Sequence, residues 1–484
     1  MDCATTPALN EVGAPRPSFP DVVAMFDHAV AVTPEATALV HLGRHLTYAD
    51  EARAVAALAD LLLARGAGGQ VVALPVANSI EYHVGFFACL RAGAIPAMVN
   101  TTFPADPLRP LLADARPLLA LTTADQAEKI SGLGAELGFE TLVFGDGPLD
   151  LAALVAAGNP AAPRPAIDPD QTAVLMFSGG TTGVSKGIRH SHRRLMAKVE
   201  RIEWGWPTRP RGEVWLPVAP FFHVYGMLMG VLNPVYGAAT VVIPERFQPD
   251  LVVSMLASHK VTIFGGGPPA IYNGLLAATC FAGSDLSALR VCPGGGAPFP
   301  VEVIRRWKAA TGLGIHEGYG MTEIAPIAIN TDAHGTRYGS VGKAVPDTVV
   351  EVVDLVAGTR VLPPGEAGEI RVRGPHMFVG YVDRPEETAS TIRDGFVYTG
   401  DIGVIDADGF ITITDRKKDV IFVSGFNVFP REIEEVLITC PTVRMVGVVG
   451  TNDDRTGEKA VAFVVPGDDI DAADLKAYCK SHLA

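Results

Sequence analysis

The sequence predicts an α/β protein in which a large N-terminal domain of layered sheets and helices, with a small barrel, precedes a smaller α+β C-terminal domain. The chain has 484 residues, enough for about three folding units at roughly 150 residues each. Its hydrophobic fraction of 48% is typical of a globular protein with a large core. Short apolar runs alternate with helical patterns along most of the chain, which indicates layered structure with largely parallel strand pairing.

The N-terminal part begins with residues 1–20, which we interpret as a flexible leader. Beyond it helical patterns and apolar runs alternate to about residue 160. Examples are the helical pattern at 51–66 and the apolar runs at 71–77 and 118–123. A Pro/Ala-rich connector around Asn159 leads to a second α/β block, from residue 171 to about 345. We therefore expect an N-terminal domain over residues 21–415.

The pattern changes at Thr348, where short and closely spaced strands begin. These predicted strands are at 349–355, 368–374, 395–400 and 409–415. They indicate a small antiparallel or barrel-like subdomain over 348–415. Residues 416–484 are expected to form a mobile C-terminal domain, which is incomplete. Its predicted elements are a helix at 431–440, strands at 443–450 and 459–466, and a last helical pattern at 472–484.

The charge balance and the cysteines indicate which partners and which compartment to expect. Asp and Glu number 53 against 39 Lys and Arg, a formal net charge of −14. Such a surface argues against nucleic acid or an anionic membrane as the main partner. The six cysteines are scattered without a CxxC pair, so we expect a reduced, cytoplasmic protein. Residues 1–20 also lack the basic and apolar regions of a signal peptide.

One uncharged stretch, from Val214 to Pro244, is long enough to cross a bilayer. It contains Pro217, Pro220 and Pro234, which would break a spanning helix. We interpret it as buried strand, loop and helix, and we expect no membrane span.

The most informative segment is 177–188, with the sequence FSGGTTGVSKGI. Glycines let backbone N–H groups approach a phosphate chain, hydroxyl side chains add donors, and Lys186 can neutralise charge. The segment is not a Walker A loop, because Ser185 stands where that pattern needs glycine. Phosphate binding is favoured over a merely flexible loop. The residues expected to contact phosphates are Ser178, Gly179, Gly180, Thr181, Thr182, Gly183 and Lys186.

This segment resembles the phosphate-binding loop of the adenylate-forming superfamily, which includes acyl-CoA synthetases, beetle luciferases and peptide-synthetase adenylation domains. It departs from the usual pattern at Gly179, in place of a hydroxyl, and at Ser185, in place of proline. Further matches follow in the family's order: LPVAPFFHVYG at 216–226, GGGAP at 294–298, EGYGMTE at 317–323, YTGD at 398–401, DRKKD at 415–419 and VSGFNVFPREIE at 423–434. In the fifth of these, Asp415 replaces the usual glycine. The resemblance covers essentially residues 26–484.

The resemblance implies a role for each matched segment. The implied catalytic residues are Lys186, His223, Thr322 and Glu323. The implied metal ligands are Ser178 and Glu323, for Mg²⁺. Tyr319 would offer its face to adenine, and Asp401 would accept hydrogen bonds from both ribose hydroxyls with Arg416 beside it. The other implied nucleotide-binding residues are Gly295, Gly296, Ala297, Pro298, Glu317, Gly318, Gly320, Met321 and Thr322.

The resemblance also implies a hinge, a CoA tunnel and an acyl pocket. Lys418 is the implied hinge residue, about which the C-terminal domain turns between two half-reactions. The implied tunnel passes Gly425, Phe426 and Asn427. Small residues and the flexible Met229 predict a roomy, apolar slot for the acid. The implied lining is Val224, Tyr225, Met229, Gly267, Gly294, Gly318, Met321 and Ala325.

Two further observations qualify this interpretation. His190 and His192 resemble a metal cluster, but we expect them at a solvent-exposed helix start. The family also places a catalytic lysine near its C-terminus, in a segment resembling PxxTxxGKxxR, and neither Lys476 nor Lys480 lies in such a motif. We therefore expect the sequence ending at Ala484 to be truncated, to bind ATP and to adenylate acids poorly.

Taken together, the motifs imply an ATP-dependent carboxylic acid–CoA ligase. It would form acyl-AMP and pyrophosphate, and then acyl-CoA and AMP, using ATP, Mg²⁺ and CoA. The expected acid is an apolar medium-chain, alicyclic or aryl acid. An enzyme that loads a carrier protein's phosphopantetheine, a luciferase-type oxygenase and a catalytically impaired ATP-binding homologue stay as alternatives. A carrier protein and a second copy of the chain remain alternatives as binding partners, and a nucleic-acid partner is not expected.

Overall fold

The computed structural model describes residues 17–177, 185–423, 426–453, 457–467 and 471–482. The chain separates into two units. The first consists of Met1–Thr348 with Gly374–Ile392, and the second of Val349–Arg373 with Arg393–Ala484. The α/β class expected from the alternating pattern is confirmed in the first unit, and the second unit combines antiparallel sheets with helices.

The helices, in chain order, are α1 (Val22–Val32), α2 (Tyr48–Ala64), α3 (Ile80–Arg91), α4 (Ala105–Ala115), α5 (Ala124–Leu137), α6 (Leu151–Ala157), α7 (His192–Gly205), α8 (Val224–Met227), α9 (Asn233–Tyr236), α10 (Pro249–Ser258), α11 (Pro269–Leu276), α12 (Val301–Thr311), α13 (Pro385–Thr391), α14 (Pro430–Ile438) and α15 (Ala472–His482).

The strands begin with β1 (Thr37–His41), β2 (Arg44–Thr47), β3 (Val71–Leu74), β4 (Ile95–Met98), β5 (Leu119–Thr122), β6 (Glu140–Val143), β7 (Thr172–Phe177), β8 (Gly187–Ser191), β9 (Val214–Pro217), β10 (Thr240–Ile243), β11 (Ile263–Gly265), β12 (Pro293–Gly295) and β13 (His316–Met321). They continue with β14 (Ile324–Ile329), β15 (Lys343–Ala344), β16 (Val349–Val353), β17 (Gly368–Arg373), β18 (Gly380–Tyr381), β19 (Ile392–Arg393), β20 (Phe396–Ile405), β21 (Ile411–Arg416), β22 (Ile421–Val423), β23 (Phe426–Val428), β24 (Val443–Asp453) and β25 (Gly457–Pro466).

Three sheets build the first unit. Their strand orders are β18-β8-β7-β4-β3-β5-β6, β11-β9-β10-β1-β2 and β12-β13-β14-β15. The pairs β3–β4, β3–β5, β5–β6 and β4–β7 are parallel, as are β1–β10, β9–β10, β9–β11 and β12–β13. The expected parallel pairing is therefore confirmed, while β8 joins its sheet antiparallel to β7.

Helix α2 illustrates how local chemistry sets an element's start. The apolar pattern predicted a helix at 51–66, and the observed helix begins three residues earlier, at Tyr48. The Thr47 hydroxyl accepts from the N–H of Asp50 at 3.0 Å, and the Asp50 carboxylate accepts from the N–H of Thr47 at 3.4 Å. This capping box satisfies two backbone donors that a helix start leaves without partners. A hydrophobic pattern does not contain that signal.

The uncharged stretch from Val214 to Pro244 folds as the sequence predicted. It forms β9, helices α8 and α9 joined by the π-helical turn Leu228–Leu232, and then β10. Within the parts of the chain that the structure describes, no helix is both long enough and apolar enough to cross a bilayer. Large fully buried side chains pack beside this region and fix the second sheet against α12, as the stacked rings of Phe264 and Trp307 show.

The second unit contains two antiparallel sheets. In the first, β16, β17, β20 and β21 pair in sequence, and β19 lies at the edge beside β20. The second sheet has the order β23-β22-β25-β24, and helix α14 packs against β24. The four strands expected after Thr348, and the helix and strands expected after Arg416, are all found.

Candidate active site

The carboxyl ends of β12 and β13 place two of the predicted nucleotide segments side by side. The strands pair in parallel, with Gly295 opposite Gly318. The exposed turn 296–298 follows β12, Tyr319 to Met321 complete β13 after Gly318, and Thr322 comes directly after the strand. Gly296 has φ +80°, a conformation that favours glycine. The turn and the end of β13 therefore form one edge, the usual position of ligand sites in parallel sheets.

The predicted phosphate-binding loop connects β7 to β8, which pair antiparallel with Phe177 opposite Gly187. Its central residues, Ser178, Gly179, Gly180, Thr181, Thr182 and Gly183, lie outside the described residues. Lys186, at the end of the loop, forms an ion pair with Glu387 at 2.5 Å between Nζ and Oε2. Its ammonium also lies over the ring of Tyr381, 4.9 Å from the centroid.

Tyr381 connects two of the predicted catalytic residues. Its hydroxyl donates to Glu323 Oε1 at 2.7 Å, while its ring faces Lys186. Strand β18 positions it, because Tyr381 pairs with Ile188 of β8, directly beyond the phosphate-binding loop. Burial and the neighbouring Glu323 raise the pKa of the Tyr381 phenol, so it stays a hydrogen-bond donor. Lys186 and Glu323 are thus brought to one aromatic side chain.

Glu323 has the properties required of a magnesium ligand. Its side chain is a carboxylate, the hard oxygen donor that Mg²⁺ prefers, and the residue is only 6% exposed. It lies between β13 and β14, with Thr322 before it, and its backbone carbonyl accepts from the N–H of Phe378 at 2.7 Å. The second predicted ligand, Ser178, lies outside the described residues.

His223 stands at the start of α8 and caps it. Its Nδ1 accepts from the N–H of Tyr225 at 3.3 Å, which leaves Nε2 to carry the proton of the neutral ring. The surrounding protein lowers the pKa of the imidazole, although the residue keeps an exposed edge. Asn78 anchors the chain segment that precedes His223. Its Nδ2 donates to Ala219 O at 2.9 Å, and its Oδ1 accepts from Phe221 N–H at 2.7 Å.

Four glycines from β11, β12 and β13 and the turn after β11 form a surface without side chains, here named the glycine floor. It consists of Gly265, Gly267, Gly295 and Gly318. Gly295 lies opposite Gly318, and its N–H donates to Gly267 O at 3.1 Å. Because glycine has no Cβ, larger side chains can lie directly on this part of the sheet.

Three large side chains lie on the glycine floor, at distances measured from the position that a Cβ would take. They are Met229 at 3.1 Å from Gly265, Tyr225 at 3.6 Å from Gly267 and Trp206 at 3.0 Å from Gly318. The Tyr225 hydroxyl accepts from Gly267 N–H at 3.3 Å and donates to Pro293 O at 3.2 Å. The Trp206 indole N–H donates to Asn330 O at 3.1 Å. Both rings are therefore held in place.

The expectation that Gly294 and Gly318 leave a roomy slot is wrong on the side where their side chains would lie. A Cβ at Gly294 would approach Phe299 Cζ to 2.7 Å and Ile315 Cγ2 to 2.8 Å, and Gly318 faces Trp206. Neighbouring side chains fill the space at both positions, and at Gly294 they leave no room for a Cβ. Of the other predicted lining residues, Val224 and Ala325 are buried and Met321 is half-buried.

The predicted ribose-binding pair lies in the second unit. Asp401 and Arg416 face each other across β20 and β21, with Arg416 Nε 3.4 Å from Asp401 Oδ1. The N–H of Asp401 donates to the Thr399 hydroxyl at 3.0 Å. The two residues assigned to ribose from the sequence are therefore neighbours, and Asp401 is largely buried while Arg416 is exposed.

The implied hinge residue, Lys418, is exposed in the 3₁₀ turn Lys417–Asp419. Asp415 accepts from the N–H groups of Arg416 at 2.7 Å and of Arg431 at 3.2 Å, so it joins the start of α14 to β21. Gly425 lies outside the described residues. The backbone of the other two implied tunnel residues, Phe426 and Asn427, lies in β23.

The interpretation of His190 and His192 as a solvent-exposed helix start is wrong. Both are buried, with exposures of 0% and 1%. His190 belongs to β8, and its Nε2–H donates a hydrogen bond to Thr322 O at 2.9 Å. Burial lowers the pKa of His192 to about 4, so this ring is neutral. Only the neighbouring Arg193 fits the expectation, being exposed and paired with Asp170.

With this geometry established, comparison with known proteins identifies the family. The model of the AMP-binding enzyme family matches residues 26–382, and that of the AMP-binding enzyme C-terminal domain matches residues 432–484. The chain belongs to the AMP-binding enzyme family. The sequence resemblance to the adenylate-forming superfamily, in its acyl-CoA synthetase branch, is confirmed.

Three relatives illustrate the match. A long-chain-fatty-acid–CoA ligase of Salmonella typhimurium is 33% identical, over 96% of this chain and 89% of the relative. A feruloyl-CoA synthase of Amycolatopsis is 35% identical, over 94% of this chain and 90% of the relative. The crystal structure of ATP-bound MatB from Rhodopseudomonas palustris aligns with a TM-score of 0.88 at 29% identity, covering 96% and 93% of the two chains. These relatives support acyl-CoA ligase as the enzyme class of this AMP-binding enzyme.

Sequence reasoning missed several residues of the site. Tyr381 lies in β18 and Glu387 in α13, both outside every segment that the motifs singled out. Trp206 lies beyond the end of α7. Lys198 did carry a signal, because it lies three residues after Leu195 and four before Ile202, on the buried face of α7.

Proposed function

We propose that this AMP-binding enzyme is an ATP-dependent carboxylic acid–CoA ligase. In the first half-reaction a carboxylate oxygen bonds to the α-phosphorus of ATP and pyrophosphate leaves. In the second the sulfur of CoA bonds to the acyl carbon and AMP leaves, with the thiol proton passing to solvent. The convergence of Lys186 and Glu323 on Tyr381, next to the phosphate-binding loop, is the observation on which this proposal depends.

The electrostatics of the site support adenylation. A carboxylate that approaches a polyphosphate meets anion–anion repulsion, so a site for this reaction needs positioned cations and donors. Lys186 supplies a cation at the end of the phosphate-binding loop. Glu323 would hold Mg²⁺ with a hydroxyl of Ser178, and the ion would neutralise phosphate charge. Thr322 adds a hydroxyl beside Glu323, and His223 borders the acyl site as a neutral ring.

For the nucleoside, Tyr319 and the turn 296–298 would hold adenine, and Asp401 with Arg416 would hold ribose. For the acid, we propose an apolar slot beside the rings of Tyr225 and Trp206, which lie against Gly267 and Gly318. Medium-chain, alicyclic and aryl acids suit such a surface, and the flat rings favour a planar aryl acid. The names of two relatives, a fatty-acid ligase and a feruloyl-CoA synthase, agree with this range. Gly425, Phe426 and Asn427 would line the CoA tunnel, and Lys418 would be the hinge.

ATP–pyrophosphate exchange tests the first half-reaction, with pools of aliphatic, alicyclic and aryl acids. Acid-dependent exchange that Glu323→Gln abolishes, and that the exposed control Glu302→Gln keeps, would support the proposal. Supplied benzoyl-AMP and CoA test the second half-reaction independently. Thioester formation in this assay without exchange would support a ligase whose adenylation step is impaired.

Two results would reject the proposal. Transfer of the acyl group to a phosphopantetheinylated carrier protein, with none to free CoA, would favour a carrier-loading enzyme. ATP binding with neither exchange nor thioester formation would favour a catalytically impaired homologue.

A further inference from the structure

Three buried basic side chains reach the short segment that contains Glu323. They come from β8, α7 and the segment before β18, and all three are 0% exposed. Their contacts are His190 Nε2 with Thr322 O at 2.9 Å, Lys198 Nζ with Ala325 O at 3.3 Å and His376 Nε2 with Pro326 O at 2.6 Å. Because a carbonyl oxygen only accepts, each of these nitrogens is the donor.

The carbonyl of Glu323 itself is held in the same way. It accepts from the N–H of Phe378 at 2.7 Å. The segment around Phe378 is in turn fixed to α7, since Arg194 Nη1 donates to Met377 O at 2.5 Å and to Phe378 O at 3.0 Å. The carbonyls of Thr322, Glu323, Ala325 and Pro326 are thus all bound by donors that α7 and its neighbours supply.

Lys198 differs from His190 and His376 because its ammonium group brings a charge into the interior. Burying an ammonium is unfavourable unless it is paired. A methionine would bury a side chain of similar length without that penalty, so packing alone does not explain a lysine here. Desolvation lowers the pKa of Lys198 to about 7, and the opposing contribution comes from the Glu323 carboxylate. The neighbouring Arg194 contributes in the same direction as desolvation.

We propose that Lys198 is a positioning residue, which holds the Ala325 carbonyl so that the Glu323 carboxylate is directed toward the magnesium ion of Mg·ATP. The inference rests on the proposed function, in which Glu323 is a ligand of the magnesium ion. Lys198 does not touch the nucleotide in this role. It acts from the far side of the Glu323 segment, while Tyr381 fixes the carboxylate directly.

The test compares ATP affinity across a magnesium titration and in EDTA. Lys198→Met removes the donor and the charge. Lys198→Gln removes the charge and keeps a shorter donor. Arg91→Met is a matched control, because Arg91 is a buried cation that binds the carbonyls of Pro160 and Ala162 away from Glu323. Unfolding curves are measured for all variants.

We expect Lys198→Met to weaken magnesium-dependent ATP binding by roughly ten- to a hundredfold, the range for losing a charged hydrogen bond. Affinity in EDTA should stay at the wild-type value. Lys198→Gln should show a smaller loss of magnesium-dependent ATP affinity than Lys198→Met. If the methionine variant does not fold, the glutamine variant is used for the test. Arg91→Met should lose stability with an unchanged magnesium dependence.

A Lys198 variant that loses stability but keeps the wild-type magnesium dependence would overturn the inference, because the residue would then serve the fold alone. If the ATP affinity of the wild-type protein did not change across the magnesium titration, that result would instead refute the proposed function, on which the inference rests.

Discussion

Replacing Tyr381 with phenylalanine removes one hydroxyl from the centre of the candidate site. The hydroxyl donates to Glu323 Oε1 at 2.7 Å, and a hydrogen bond to a charged group contributes about 1.5–3 kcal/mol. If that contribution serves mainly to orient the carboxylate for Mg·ATP, binding and adenylation should fall by about ten- to a hundredfold. The ring beneath Lys186 is unchanged, so the cation–π contact of about 0.5–1 kcal/mol stays.

Two assays measure the effect of Tyr381→Phe: the magnesium dependence of ATP affinity, and acid-dependent ATP–pyrophosphate exchange. Tyr48→Phe is the matched control, since the Tyr48 hydroxyl is fully buried and donates to Ala239 O at 2.7 Å. The control should lose stability and keep both activities. A folded Tyr381→Phe protein with wild-type values in both assays would refute the assignment of Tyr381 to the site.

Three further predictions concern separate parts of the molecule. His192 has its pKa lowered to about 4 by burial, against about 6.5 in the unfolded chain, so the unfolded state binds the proton first as pH falls. Stability should decrease by about 3 kcal/mol between pH 6.5 and 4, and urea unfolding of His192→Gln should show this decrease removed. Trp206→Ala should shift exchange from planar aryl acids toward longer aliphatic acids, at a stability loss of about 3–5 kcal/mol measured by urea unfolding; an unchanged acid preference would contradict the slot described here. Asp401→Asn should weaken ATP and AMP binding to a similar extent, about tenfold, by calorimetry, because both ligands contain the ribose.

The sequence predicted the alternation of helices and strands in the first unit, because apolar periodicity is a local signal. The turn that follows β12 was expected from the family resemblance of residues 294–298. Motifs assigned both Asp401 and Arg416 to ribose, but their ion pair was found only in the structure. Local sequence patterns do not predict which segments, distant in the sequence, contact each other in the fold. Tyr381 is brought close to Glu323 by the pairing of β18 with β8 and by the hydrogen bond from Phe378 N–H to Glu323 O. The spacing of residues in the sequence does not predict these contacts.

Glycine positions show a different limit of sequence reasoning. A small residue in a lining motif was interpreted as free space, yet at Gly294 the space belongs to Phe299 and Ile315. The size of a residue specifies only its own volume, whereas the size of a slot depends on what packs against it. The exposure of His190 and His192 was misjudged for a related reason. It depends on tertiary packing and not on the arginines beside them in the sequence.

Comparing AMP with Mg·ATP separates the residues proposed for phosphate and metal from the residue proposed for ribose more sharply than any single variant does. Lys186, Glu323 and Tyr381 belong to the first unit, and they would act on phosphates and metal. Asp401 belongs to the second unit and would act on ribose. AMP contains the ribose but not the pyrophosphate, so Asp401→Asn should weaken AMP and ATP alike, while Tyr381→Phe should weaken Mg·ATP and spare AMP. If both variants lowered AMP affinity equally, Tyr381 would be supporting the fold of the site as a whole rather than orienting Glu323.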